Sequence, residues 1–332
     1  MNIFMTGGTG FVGTFLTKKF TSAGHAVTIL TQPIGAAALK LPGLSYLEGT
    51  PTVRGQWQDA VNKHDVIINL AGASIFSRWT PEQKKLLRSS RLDTTRNVVD
   101  ALPPDSSKIT LLSTSAVGYY GFHQDEELAE NSPAGNDFLA RLAYDWEQEA
   151  LRAQEKGARV VITRFGIVLG KNGGALGQMV PLFKSFLGGP LGSGKQWFSW
   201  VHMEDLAEGF MFLLSHPEIK GPVNLCSPRP VRNQDLGKAI GKVLHRPSWM
   251  PAPGWMIKLI LGEFGSVLLE GQRVGQLHQL TGGNVARFGV SPQRPARVGD
   301  PVARGEFGDA LAHRLHDAGS LLAEAGRQRH RV

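Results

Sequence analysis

Cysteine appears once in the 332-residue chain, at Cys226, which excludes an internal disulfide. The ten histidines are scattered without metal-ligand spacing, so no metal site is expected, and Cys226 reads as a small buried hydrophobe. No apolar run reaches membrane-spanning length and no basic-then-apolar leader precedes the first strand. The expected setting is therefore the cytoplasm, with no membrane partner. Blocks of like charge are missing too. The net charge is +8, but the first 273 residues hold 28 Lys and Arg against 23 acids, while residues 274–332 hold eight Arg, no Lys and five acids. Spread-out basicity without an aromatic-interleaved stripe argues against a nucleic-acid partner.

What is present suits a globular α/β chain, since 42% hydrophobic residues can supply a core of useful size. Residues 2–5 form a short apolar run, followed by glycines and then by Val12, Phe15, Leu16 and Phe20 at helical spacing: strand, tight turn, helix. GHAVTIL, DVIINLAG (65–72), KITLLSTS (108–115) and ARVVITRFGIVLG (158–170) are near-continuous apolar runs, as expected of strands covered on both faces. Between them, Thr80, Pro81 and Gln83 open a long helix with N-cap, N1 and N3 signals, and residues 136–154 and 202–216 carry helical stripes. This alternation predicts a Rossmann-type doubly wound parallel sheet with a smaller C-terminal substrate domain. The expected division is residues 1–170 with 195–225 returning to them, then a smaller unit over 171–274. Residues 188–200 read as loop. From 275 to 332 turn residues dominate with no sustained period, so that segment reads as atypical and loosely packed.

TGGTGFVG places Gly8, Gly10 and Gly13 in G-x-G-x-x-G spacing, and Gly7, Gly10 and Gly13 at intervals of three. Glycines let the backbone turn sharply and approach a pyrophosphate, and the helix that follows offers free N–H donors and a favourable dipole. The pattern gains weight from its place, after a strand and before a helix. At the end of the second strand Thr31 and Gln32 carry no charge. No carboxylate there repels a 2′-phosphate and no Arg attracts one, so NADP is favoured over NAD.

TGGTGFVG, NLAGASI, RWTPEQKKLLRSSRLDTTR, STSAVGYYG, DFLARLAYDWE, RFGIVLGKNGGAL, GGPLGSGKQWFSWVH and GEFGSVLLEGQRV together resemble an atypical branch of the extended short-chain dehydrogenase/reductases. That branch is the epimerase family proteins (YfcH-like) of the NAD-dependent epimerase/dehydratases, and the resemblance covers about residues 1–274. It implies a cofactor site built from Gly7, Gly10, Phe11, Val12, Gly13, Thr31, Gln32, Leu70, Ala71, Gly72 and Ser113, with Phe165, Gly166 and Ile167 walling the nicotinamide. It also implies a Ser, Tyr and Lys for proton transfer, the lysine lowering the phenol's pKa. Ser115 matches the serine. The Tyr-x-x-x-Lys pair is missing, because Leu139 and Ala143 stand in its place and no lysine occurs between Lys108 and Lys156.

Tyr120, with Tyr119 beside it, is the expected substitute proton donor, although packing against the substrate wall explains both residues equally well. On the substrate side, Arg78 and Lys195 are candidates to clamp an anionic group, and Trp79, Trp197 and Trp200 to stack on a planar one. Arg164 reads alternatively as an internal ion-pair partner, and His202 with Asp205 as a strand-to-helix junction. After Val274 the chain departs from the family's usual ending, with a composition like an out-of-frame reading of a GC-rich gene or a divergent tail. The expected function is an NADP-dependent oxidoreductase or epimerase acting on a small polar molecule, as a monomer or homodimer. A non-catalytic NADP sensor is the alternative.

Overall fold

The computed structural model describes residues 1–32, 39–171 and 173–275, so the expectations for the chain beyond Gly275 lie outside the described residues. In β1 (Asn2–Thr6) every residue after Asn2 is buried, on both faces. Ile3 and Met5 point to one side, where they pack with α1 (Phe11–Ser22), and Phe4 points to the other. The chain then forms β2 (Ala26–Thr31), β3 (Leu44–Glu48), the short α2 (Gln58–Val61) and β4 (Val66–Asn69). Next comes α3 (Pro81–Asp100), whose expected N-cap holds: the Gln83 N–H donates to the Thr80 hydroxyl at 3.2 Å, with proline in the first turn.

β5 (Thr110–Ala116) leads through a single 3₁₀ turn at Val117–Tyr120 and the two-residue β6 (Glu127–Leu128) to α4 (Phe138–Leu151), capped by the Asp137 carboxylate. β7 (Arg159–Phe165) follows. The apolar run 158–170 is not one strand. It breaks at Gly166, where a Cβ would stand 3.0 Å from the Trp200 carbonyl carbon and 3.1 Å from the Cys226 Cβ. β8 (Ile167–Leu169) therefore leaves the main sheet. α5 (Gly174–Lys184), β9 (Trp197–Phe198), β10 (Trp200–His202) and α6 (Met203–Ser215) come next, so the expected loop over 188–200 contains β9 and the start of β10. His202 and Asp205 do sit at a strand-to-helix junction. The described chain closes with β11 (Gly221–Leu225), β12 (Val231–Arg232), α7 (Asn233–Leu244), α8 (Gly254–Leu261), α9 (Glu263–Leu269) and β13 (Arg273–Val274).

Seven strands form one sheet in the order β11-β7-β5-β4-β1-β2-β3, and every neighbouring pair is parallel. One core layer joins Ile3, Met5, Leu16, Phe20, Ile29, Ile68 and Val161 to α6 through Leu206, Phe210 and Leu213. The opposite layer sets Phe4, Ile67, Leu111 and Val160 against Val98, Val99 and Leu102. A smaller region follows. Pairs β8–β10 and β9–β12, with α5 and α7, enclose a core of their own around Phe183, Trp200, Leu236 and Ile240. Among the described residues no helix is long and apolar enough to cross a membrane.

Candidate functional site

Strand order reverses between β1 and β4, and open parallel sheets take ligands at the carboxyl ends of strands that part in this way. The glycine loop lies there. Gly7 has φ +69, and a Cβ on it would stand 2.8 Å from the Ala71 nitrogen. A Cβ on Gly13 would overlap the Gly7 carbonyl oxygen and stand 2.6 Å from the Gly8 Cα. Only glycine permits so close a packing of α1 on the loop. Gly10 caps α1 without any side-chain acceptor, leaving first-turn N–H groups for an anion. Gly7, Gly10, Gly13, Leu70, Ala71 and Gly72 are thus brought together, Phe11 and Val12 open α1 beside them, and Thr31 and Gln32 end the adjacent strand β2.

Below the loop a buried hydrogen-bond chain ties the strand ends together. The Thr6 hydroxyl donates to Asn69 Oδ1 at 2.7 Å, Asn69 Nδ2 donates to Thr95 Oγ1 at 2.8 Å, and Trp146 Nε1 donates to the same hydroxyl at 2.8 Å. Ser113 joins at 3.5 Å from Asn69 Nδ2, and the Ala71 N–H donates to Thr6 Oγ1 at 3.3 Å. These residues hold the loop in place from beneath.

Arg91 belongs to this site and was not singled out from the sequence. Its guanidinium donates to the carbonyls of Leu87 and Ala73 at 3.1 Å each and lies 5.3 Å from the Trp146 ring centroid. A Cβ on exposed Gly72 would stand 3.1 Å from its Cζ. Among the described residues no carboxylate pairs with it, and burial pushes its pKa down to about 10. A desolvated cation beside a glycine loop is a signal of location, invisible to spacing alone.

At the end of β5 the expected catalytic residues enter a second network. The Ser115 hydroxyl donates to Glu147 Oε1 at 2.6 Å, and Arg164 grips the same carboxylate through Nε at 2.9 Å and Nη2 at 2.8 Å. β5 and β7 pair Ser115 directly with Arg164, which explains how residues 49 positions apart meet one side chain of α4. Arg164 is therefore the internal ion-pair partner. Burial acts to lower its pKa, but the bonds and charge of Glu147 outweigh that and raise it. Arg164 Nη1 also donates to the Tyr120 hydroxyl at 2.9 Å, which in turn donates to Asn224 Oδ1 at 2.7 Å. Tyr120 is 0% exposed, and burial, partly offset by Arg164, pushes its pKa up to about 12.

Tyr119 is half-buried, with the Arg164 guanidinium 3.6 Å from its ring centroid, and its pKa is raised chiefly by burial. Cys226 is buried as expected, with its thiol pushed up to about 12 by desolvation.

The other candidates do not converge. Phe165 packs on Phe210 with centroids 5.8 Å apart, Gly166 is buried, and Ile167 is exposed. Trp79 is a core residue between Phe138 and Phe264, at 5.3 and 5.5 Å, and Trp200 is buried with Nε1 donating to the Arg229 carbonyl at 3.1 Å. Neither indole presents a free face of the kind stacking needs. Trp197 is half-buried, lies 3.8 Å from the Arg232 guanidinium and donates to Asp125 at 2.8 Å. Lys195 and Arg78 are exposed, Arg78 beside Gly262.

A parallel sheet of this order, with an uncapped helix opening on a glycine loop at its switch point, defines a Rossmann-type dinucleotide-binding fold. Residues 3–226 match the family model of the NAD dependent epimerase/dehydratase family, and the chain belongs to that family. It is 42% identical over 277 residues to the chloroplastic epimerase family protein SDR39U1 homolog of Arabidopsis thaliana, covering 82% of this chain and 80% of that one. It is 39% identical to epimerase family protein YfhF of Bacillus subtilis, over 85% of this chain and 93% of that protein. Among solved structures, human epimerase family protein SDR39U1 (isoform 2) with NADPH superposes with a TM-score of 0.72 at 32% identity, covering 82% of this chain and 90% of that one.

Proposed function

We propose that the chain is an NADP-dependent oxidoreductase or epimerase that acts by hydride transfer on a small polar alcohol or carbonyl compound in the cytoplasm. The observation that carries this reading is the glycine cradle, where Gly7 and Gly13 admit no side chain and the α1 N-terminus has no side-chain cap. The uncharged Thr31 and Gln32 favour the 2′-phosphate, and the human relative with NADPH is in line with that choice. When bound, the nicotinamide gives or takes the hydride. The backbone N–H groups of Phe11, Val12 and Gly13 and the Arg91 guanidinium hold the pyrophosphate, which gives Arg91 the anion it lacks within the described residues. Tyr119 replaces Tyr120 as proton donor, because its half-exposed phenol stays protonated at neutral pH, whereas Tyr120 is sealed. The Ser115 hydroxyl orients Glu147 in place of a substrate oxygen.

Fluorescence titration with NADPH and NADH tests the cofactor assignment. Micromolar NADPH binding, with NADH weaker, is expected. Arg91→Gln lowers NADPH affinity about tenfold or more, the worth of one charge-assisted hydrogen bond. In the native protein the affinity also falls as pH rises through about 10, because the depressed pKa of Arg91 means that its charge is lost there. A variant with native affinity and the native pH profile removes Arg91 from the site.

One observation favours a second reading, a non-catalytic NADP sensor: the hydroxyls of Ser115 and Tyr120 both serve internal partners. Carbonyl-dependent NADPH oxidation that is lost in Tyr119→Phe, with binding retained, supports the enzyme. Tight binding without turnover across aldehydes and ketones supports the sensor.

A further inference from the structure

Sixteen large hydrophobic residues are exposed among the described residues, and nine of them fall in two short segments. Leu182, Phe186 and Leu187 lie at the end of α5; Trp249, Met250, Trp255, Met256, Leu259 and Ile260 lie before and along α8. The segments are laced together. The N–H groups of Trp249 and Met250 donate to the Gly188 carbonyl at 3.2 and 3.3 Å, Ala252 donates to Pro190 at 3.0 Å, and Gly192 donates to Ala252 at 2.8 Å. α8 buries Ile257 and turns Trp255, Met256, Leu259 and Ile260 outward, at successive i, i+4 positions. Trp255 and Leu259 are each 68% exposed and Trp249 is 64% exposed. Those two indoles alone show roughly 250–300 Å². With the other seven side chains, the surface exceeds the few hundred Å² that monomers commonly leave bare.

The charge around this face is mostly basic, since the two carboxylates that flank it, Asp235 and Glu263, are paired with Lys238 and Lys84. Residues 174–194 and 236–262 contain Lys184, Lys238, Lys242, Arg246 and Lys258 and not one Asp or Glu. Arg246 lies 4.6 Å from the Phe186 ring, and Phe186 and His245 are the only non-glycine residues with positive φ among the described ones, at 62° and 52°. A bulky side chain held in that region and left half exposed is strained with no burial to offset it. A two-fold partner would bring this basic rim against its own copy. Residues 276–332, with eight Arg and five acids, are of the same sign. An anionic bilayer surface matches both properties, since tryptophan settles at the headgroup level and basic side chains meet the lipid phosphates.

We propose that the α5–α8 face is a peripheral membrane-binding surface for anionic phospholipids, with Trp249, Trp255 and Leu259 entering the headgroup layer and Lys184, Arg246 and Lys258 contacting phosphate. It holds the protein on a membrane without spanning it, and it does not depend on the cofactor reading. The full chain is mixed with vesicles of phosphatidylcholine alone and with vesicles that also contain phosphatidylglycerol, and is followed by flotation and tryptophan emission. Binding to the anionic vesicles with a blue shift is expected, weakened by salt. Lys258→Gln lowers partitioning about fivefold, and Trp255→Ser with Leu259→Ser lowers it more than about tenfold. Both substituted residues of that pair are exposed, so the pair is expected to keep the native melting temperature and NADPH affinity.

No binding to anionic vesicles, or equal binding by the double variant, overturns the proposal. So does a concentration-dependent dimer that the double variant abolishes, which would assign the face to a second copy. Emission already blue-shifted and protected from quenchers without vesicles, and unprotected once the chain is cut after Gly275, would assign it to residues 276–332.

Discussion

Glu147 and Arg164 show 5% and 3% side-chain exposure, so both charges have been taken out of water and depend on one another. Three further bonds saturate the pair: Ser115 to the carboxylate, and Tyr120 and the Glu130 carbonyl from Arg164 Nη1. Removing one partner strands the other. Arg164→Leu is expected to cost about 3–5 kcal/mol in urea unfolding, whereas Arg164→Leu combined with Glu147→Leu costs less, because no unpaired charge remains. Equal losses in the single and double variants would show that packing, not charge, dominates there. The same network accounts for the missing tyrosine and lysine. With Leu139 half-buried and Ala143 buried on α4, the polar centre of this region has shifted to Glu147, four residues along the helix from Ala143.

Secondary-structure elements differ in how much of themselves they write into sequence. α3 announces its start through Thr80, Pro81 and Gln83, and the glycine loop is legible because each glycine answers a local need of the turn. β3 and β11 are not legible. LSYLE sits at the sheet edge with no residue fully buried, and GPVNL opens with glycine and proline, so neither carries the apolar run that marks β4 or β7. The Ser115–Arg164 pairing was hidden for another reason, since it depends on β5 and β7 being neighbours, which only the assembled sheet decides. Trp79 and Trp200 read from the sequence as stacking candidates yet close cores, because sequence does not distinguish an aromatic lining a cleft from one filling a core. Gly13→Ala tests the legible part. The added methyl overlaps the Gly7 carbonyl, so the variant is expected to lose about 1–3 kcal/mol of stability and its NADPH binding together; undiminished binding would mean that the loop is a structural turn only.

Across the whole molecule, one ring is among the contacts that join the cradle to the smaller region. Phe11, the first residue of α1, sits against Gly170, Gly173 and Gly174, where added Cβ atoms would approach its ring to 3.0 Å or less. A ligand anchored on the first turn of α1 therefore also braces the start of α5, and its binding energy adds to the stability of both regions. NADPH at about 100 times its dissociation constant contributes about 2.7 kcal/mol, which for a chain of this size corresponds to a rise in melting temperature of roughly 4–5 °C. Phe11→Ala leaves the glycines and the N–H groups in place but removes the ring that transmits the order. It is expected to bind NADPH with at most a modest loss of affinity, yet to show a markedly smaller thermal shift and a separate, earlier transition for the α5–α7 region. A single transition with the full NADPH shift in Phe11→Ala would mean that the two regions are coupled instead through the packing of Val168 and Val201 against the main-sheet core.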